Sequence, residues 1–211
     1  MNKKDYPVGD HELLELVRHS SDTEEIREKV MKIENINEPI LDEKGYSTTY
    51  LYEAVGESNL TAVQVLLDHG ADPNYSNADL IGDCPLWELQ YCDFSFADPK
   101  IRYQIAKEFF QHGADPNLTP DGEVESLYDY VLFKVFNDDD IVGPEYDYLL
   151  SFYNLLIAYG GGGKGYRKPV FSEVIDKDRI DDYQIEFEMC DDNYHIKGYV
   201  VNPEGERIGE L

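Results

Sequence analysis

Apolar residues recur every three to four positions over much of this chain, which is the spacing of amphipathic helices. Near the N-terminus the pattern predicts two helices, over residues 11–18 and 22–33. Asp22, followed three residues later by Glu25, is typical of the box that caps a helix start. The same spacing predicts helices over residues 127–136 and 148–159, so the fold class is mainly α.

The last thirty or so residues change to a period of two, which indicates half-buried strands. Apolar and polar residues alternate over 183–189, residues 190–193 suit a turn, and residues 194–200 form a return strand in one of two registers. Either Ile196 and Val200 face inward, or Lys197 and Tyr199 do. A second turn at 202–205 precedes a short third strand at Ile208. So small a meander is marginal in water, and we expect it to pack on the last helices or on a partner.

One hexapeptide, His-Gly-Ala-Asp-Pro-Asn, occurs at residues 69–74 and again at 112–117, each time after an apolar helical stretch. Gly70 and Gly113 stand where a helix must end in the left-handed conformation. The His before each Gly is therefore interpreted as a structural hydrogen-bonding residue and not as a catalytic base.

These residues resemble the ankyrin repeat, whose helix pair ends in Leu-Leu-x-x-Gly-Ala-Asp-x-Asn. Thr-Tyr-Leu-Tyr-Glu-Ala at 49–54 stands where the family has Thr-Pro-Leu-His-x-Ala, and the similarity covers residues 42–119. The resemblance implies an ankyrin-repeat solenoid of about four helix pairs with a small C-terminal β meander. We expect residues 1–165 to form the repeat domain with its N-terminal capping helices, and residues 166–211 a C-terminal extension.

The repeats depart from the family in their spacing. The two His are 43 residues apart (112 minus 69), against the usual period of about 33. The surplus predicts an insertion around residues 92–99, between the two helices of repeat two. A third, degenerate repeat opens at residues 121–122, has a second insertion at 137–144, and ends near residue 160, with Tyr159 in the place of the His.

The net charge of the chain indicates which classes of partner it can bind. The chain has 44 Asp and Glu against 18 Lys and Arg, a formal net charge of −26, which repels nucleic acid and anionic membranes and attracts basic proteins. The alternative is that acidity serves only solubility. Three Cys at no metal-ligand spacing and the lack of an apolar leader or membrane-length segment predict a reduced, cytoplasmic protein.

Motifs for catalysis or cofactor binding are missing from the sequence. The run Gly160 to Gly165 lacks the Ser or Thr of a phosphate-binding loop, and the turn after Asp72 lacks the Gly and Glu of a calcium loop. Three consecutive Asp at 138–140 could hold a divalent cation weakly, but a solvated loop is the simpler interpretation. We therefore expect no enzyme activity, no cofactor and no metal.

The resemblance implies a binding groove lined by finger tips and inner helices. By matching position, the groove residues are Tyr46, Thr48, Glu57, Leu80, Ile81, Asp83, Tyr91, Asp93, Asp121, Glu123 and Glu125. Leu80 and Ile81 are as well explained by contact with the next repeat. Trp87, in the place of the family's His, is interpreted as packing.

These residues predict a non-enzymatic binder of a basic protein, in the specific form of a bacterial immunity-type inhibitor of a toxin. The alternative is a scaffold or adaptor whose repeats position a client while its C-terminal strands pair with another strand. A metal enzyme using the Asp138 to Asp140 loop is a third hypothesis. Neither the partner's identity nor the oligomeric state follows from the sequence.

Overall fold

A computed structural model describes residues 6–77, 84–91, 98–120, 125–138, 143–162, 182–189 and 196–210. Within them the chain is mainly helical, with a small antiparallel sheet at its C-terminal end. The helices are α1 His11–His19, α2 Thr23–Val30, α3 Tyr50–Gly56, α4 Leu60–Asp68, α5 Pro85–Glu88, α6 Pro99–Gln111, α7 Leu127–Asn137 and α8 Pro144–Ala158. The strands are β1 Ile40–Leu41, β2 Ser47–Thr48, β3 Gln184–Met189, β4 Ile196–Val201 and β5 Arg207–Glu210.

Most helices begin at a short polar side chain that accepts a hydrogen bond from the first turn, as Asp, Asn, Ser and Thr do best. These caps are Asp10, Asp22, Thr49, Asn59, Asp98 and Ser126. Helices α5 and α8 begin instead with a proline, whose fixed φ suits that position.

The predicted cap at Asp22 is confirmed, because its carboxylate accepts from the amides of Glu24 and Glu25. The Asp22 amide bonds to the Ser20 hydroxyl at 3.0 Å. Helix α2 is shorter than predicted. It ends at Val30, and the amide of Ile33 bonds back to the Val30 carbonyl in a final turn.

The helices pack in two rows. In the first row α1 contacts α3 and α3 contacts α5; in the second row α2, α4, α6 and α8 contact one another in that order. Helix α7 packs on α8, and a ring contact between Trp87 and Tyr130 joins it to α5, so we count α7 as the last helix of the first row. One buried apolar cluster runs through both rows, so each helix pair buries its apolar face against its neighbours.

Three helices end in the same turn. Gly70, Gly113 and Gly160 have φ of +88°, +88° and +96°, which costs a residue without Cβ least. After each, the next amide bonds back to a carbonyl five residues earlier, as from Ala71 to Leu66 at 3.0 Å. The prediction of left-handed helix ends at Gly70 and Gly113 is confirmed, and Gly160 repeats it in the third unit.

An asparagine side chain links each of these turns to the unit before it. The amide of Asn74 donates to the Gly113 carbonyl at 3.0 Å, while its oxygen accepts from the Asp115 amide at 2.6 Å. Asn37 does the same at Gly70 and Asp72, and Asn117 does so at Gly160 and Gly162. We call these contacts the asparagine bridges. Because Asn37 takes part, the N-terminal helix pair is linked like a repeat.

Both predicted insertions lie where spacing placed them. Residues 89–98 separate α5 from α6, whereas residues 57–59 suffice between α3 and α4. The second insertion is shorter than predicted: it comprises residues 138–143, because Asn137 belongs to α7 and Pro144 begins α8.

Strands β1 and β2 form a hairpin ahead of α3, with Leu41 opposite Ser47. The Asp42 carboxylate closes its turn by accepting from the amides of Lys44 and Tyr46 at 2.9 and 2.7 Å. Val8 adds a parallel bridge to Leu41, which covers the other edge of β1.

The C-terminal sheet has the order β3-β4-β5, and both pairings are antiparallel. Val200 is 2 % exposed and belongs to the same buried cluster as the helices, while Tyr199 is half-buried. Val200 therefore faces the buried cluster, as one of the two predicted registers requires, while Val201, at a register shift in the pairing with β5, is also buried, at 4 % exposure. The sheet packs on the rest of the protein through Val200, with Tyr183 and Ile208 against the same cluster.

Candidate protein-binding surface

Four of the residues predicted for the groove lie exposed on the described part of the chain. Tyr46, in the hairpin turn, is 69 % exposed and Tyr91, just after α5, is 51 % exposed. Glu57 follows α3 and Glu125 precedes α7, and both are exposed. All four follow or precede helices of the first row, or lie in its hairpin. We call this face of the molecule the first-row surface.

The prediction for Thr48 is wrong. Its side chain is 3 % exposed, and its hydroxyl donates to the neighbouring Thr49 carbonyl at 3.4 Å. In strand β2 successive side chains point to opposite faces, and pairing of Thr48 with the buried Ile40 turns it toward the core. Thr48 therefore supports the hairpin and does not expose its side chain on this face of the molecule.

The other predicted groove residues lie outside the described residues. They are Leu80, Ile81, Asp83, Asp93, Asp121 and Glu123.

Phe133 belongs to the first-row surface although sequence reasoning missed it. It lies on α7 and is 55 % exposed. Its position is seven residues after the cap Ser126, just as Tyr91 is seven residues after Cys84, the cap position of α5. That correspondence is the signal that could have identified it; the helical pattern alone places Phe133 among the apolar residues of α7.

Beneath the two exposed rings lies a ring pair that joins neighbouring helices. The centroids of Trp87 on α5 and Tyr130 on α7 are 5.0 Å apart, and Trp87 is 6 % exposed. Trp87 is thus packing, as predicted. The ammonium group of Lys134 lies 5.6 Å from the Tyr130 ring centroid, within the range of a cation–π contact.

Several acidic side chains of the first row are already paired within the molecule. Arg18 of α1 donates to Glu53 of α3 at 2.8 Å and to Glu43 of the hairpin at 3.0 Å. The hydrogen bond from Arg18 to Glu53 holds the pKa of Arg18 above its usual value. The pKa of Glu43 is lowered, first by its own backbone amide and then by Arg18. These carboxylates link units and contribute little free charge for a partner.

Glu88 on α5 is a second acid with an internal role. Burial raises the pKa of its carboxyl above the ordinary range, against the opposing effects of the nearby Arg102 and of the Tyr52 hydroxyl, which donates to it at 3.2 Å. Arg102 is itself buried, and donates to the Glu88 carbonyl at 2.6 Å and to Ser58 at 3.3 Å. This cluster therefore ties α6 to the turns after α3 and α5.

A groove of about 690 Å³ lies on the opposite side, between α6 and α8. Two lysines and two aspartates line it, Lys100, Lys107, Asp98 and Asp147. Charges of both signs give this groove no preference for a basic partner, in contrast to the acidic chain as a whole.

The repeated histidines have structural roles, as predicted. The Nδ1 atoms of His69 and His112 lie 2.7 and 2.8 Å from the carbonyls of Val65 and Glu108. Since a carbonyl only accepts, each Nδ1 carries the proton, and each ring caps its own helix.

No cluster of three His, Cys, Asp or Glu suited to a metal occurs among the described residues. Asp138 is described, while Asp139 and Asp140 of the predicted loop lie outside. Nor does any helix in the described ranges have the length and apolar character that crossing a bilayer requires. No protein-family model matches the chain, and no curated protein matches it significantly.

Proposed function

We propose that this chain is a non-enzymatic, cytoplasmic ankyrin-repeat protein that binds a basic protein through its first-row surface. The observation that carries the proposal is the exposure of large rings on that surface, Tyr46, Tyr91 and Phe133, in a chain of net charge −26. Aromatic anchors surrounded by polar and charged groups are typical of protein hot spots.

The asparagine bridges support the repeat architecture. The same donor, acceptor and left-handed glycine turn occur at Gly70, Gly113 and Gly160. A bridge that recurs with each helix pair is what a stack of similar units requires, since each unit contacts only its neighbours. Ankyrin repeats resemble one another in binding through fingers and inner helices, and here those are the hairpin and the first row.

The excess of acidic over basic residues supports a basic partner. Complementary charge accelerates encounter, while buried aromatic contacts slow dissociation. The specific form that we propose is an immunity-type protein that occupies a basic toxin, such as a nuclease. This last step is an analogy with small bacterial ankyrin proteins and rests on fold, not on a site.

The proposal is tested on purified candidate partners, beginning with the product of the adjacent gene. Affinity should fall steeply as salt rises, and reversing Asp83, Asp121 and Glu123 to Lys should abolish binding. A matched control reverses Glu24, Glu25 and Glu28, which are exposed on α2 in the second row. Binding that ignores salt, or that is lost equally in the control, would contradict the proposal.

A scaffold or adaptor is the second candidate, favoured by the position of β3 at an edge of the sheet that the described strands form. Strand β4 lies in the middle of the sheet, so among the described strands the edges are β3 and β5. A partner strand could add to β3, which pairs only with β4 in the described part of the chain. Glu186→Pro should then abolish client binding, whereas a first-row interface should tolerate it.

A further inference from the structure

Tyr91 and Phe133 each follow one ring of the pair that joins α5 to α7. Trp87 and Tyr130 touch across the junction of α5 and α7, and the exposed rings follow them by four and three residues. Residues three or four apart lie on one face of a helical turn, and the Tyr91 amide continues the α5 turn by bonding to the Glu88 carbonyl at 3.1 Å. The two exposed rings therefore extend the same ring pair toward solvent.

Neither exposed ring has a partner of its own among the described residues. They are 51 % and 55 % exposed, whereas rings elsewhere pair, as Phe110 does with Tyr159 at 5.1 Å. Large aromatic side chains dominate the energetics of protein interfaces, which makes exposed rings candidate contact points for a partner.

Cations already occupy ring faces elsewhere in this protein. Lys134 lies over Tyr130 at 5.6 Å, Lys107 over Tyr103 at 5.9 Å, and the Arg207 guanidinium over Tyr199 at 4.1 Å. The ring quadrupole attracts a cation, and the surrounding net charge of −26 raises the local concentration of basic groups.

We propose that the rings of Tyr91 and Phe133 receive arginine or lysine side chains of the basic partner. This inference rests on the proposed function and adds selectivity among cations, which the acidic charge alone does not supply. Solvated carboxylates attract any cation, whereas an exposed ring face favours a cation that can stack on it. Arginine fits better than lysine, because its planar guanidinium stacks on a ring and is more weakly hydrated.

The test uses the full chain and an oligoarginine peptide, with fluorescence anisotropy to measure affinity. Tyr91→Leu and Phe133→Leu keep an apolar side chain but remove the ring, and each should weaken binding about twofold to fivefold. Tyr91→Phe and Phe133→Tyr keep the ring and should retain affinity. Met31→Ala is the matched control, since Met31 is 71 % exposed but follows α2 in the second row. An oligolysine peptide should bind more weakly and show a smaller ring dependence.

Three outcomes separate the proposals. Lower affinity of the two leucine variants, together with unchanged affinity of Tyr91→Phe and Phe133→Tyr, supports the ring contacts. Leucine variants that bind as tightly as the unmodified chain, while the Asp83, Asp121 and Glu123 reversals lose affinity, overturn the ring contacts and leave the proposed function standing. An unmodified chain that shows no salt-sensitive binding of oligoarginine overturns both.

Discussion

Asn74 joins two helix pairs through a single amide group. Its nitrogen and its oxygen are both used, toward Gly113 and Asp115 respectively, and an amide carries its donor and its acceptor on two separate atoms, whereas a hydroxyl has one oxygen for both. The hexapeptide therefore ends in Asn because this side chain contacts residues 39 and 41 positions further along the chain.

Asn74→Asp should lower the free energy of unfolding by about 1–3 kcal/mol, because the donor is lost and a carboxylate faces the Gly113 carbonyl. Urea denaturation measures the change. Asn35→Asp is the matched control: the Asn35 oxygen accepts from the Asn37 amide, a role that a carboxylate keeps. Equal loss in both variants would contradict the asparagine bridge.

Ionisation of the Glu88 carboxyl opposes folding. Its folded pKa is raised by burial above the ordinary value of 4.5, so the folded state holds the proton more tightly than the unfolded chain, and stability falls as pH rises through that interval. Glu88→Gln should therefore be more stable than the natural chain at neutral pH. The advantage should vanish below pH 4.5, where both states are protonated. Denaturation across pH measures it, and a constant difference would contradict the assignment.

Helix α5 is a short element stabilised by side chains from two others. It spans only Pro85–Glu88, far less than an isolated helix needs. Arg102 of α6 caps its Glu88 carbonyl, and Tyr148 of α8 donates to the Leu89 carbonyl at 2.7 Å. The helix thus depends on its neighbours more than on its own sequence.

Tyr148→Phe should cost about 1–3 kcal/mol of stability, because a buried carbonyl loses its donor. Amide exchange should accelerate first in α5. Tyr146→Phe, on the same helix and half-buried, should change stability by much less. If the two variants behave alike, Tyr148 does not cap α5.

The whole molecule carries charge that both attracts a partner and repels itself. With a net charge of −26, salt screens the repulsion among like charges and also the attraction for a basic protein. The thermal midpoint of the free protein should therefore rise with sodium chloride while affinity for oligoarginine falls. Scanning calorimetry and anisotropy on the same samples measure the two trends, and parallel trends would contradict a dominant role for net charge.

Most elements could be predicted because their signals are local. The period of apolar residues predicted the long helices and the strands, and the repeated Gly predicted where helices end. Asp22 was recognisable as the cap of α2 from its residue type and position. The exposed residues of the first-row surface were harder to predict. Thr48 was predicted to lie in the groove but is buried, and the apolar Phe133 is exposed. The reason is that a residue's polarity does not tell which neighbour covers its side chain.

By itself the sequence determined the longer helices, the repeated turn, the places of the long segments between helices and the acidic charge, since each depends on residues close together in the chain or on composition. Only the tertiary structure decided which polar groups are used internally. Arg18 with Glu53, Arg102 at the end of α5, and the asparagine bridges all join positions far apart in sequence. The same packing joins α5 and α7 through Trp87 and Tyr130 and leaves Tyr91 and Phe133 exposed.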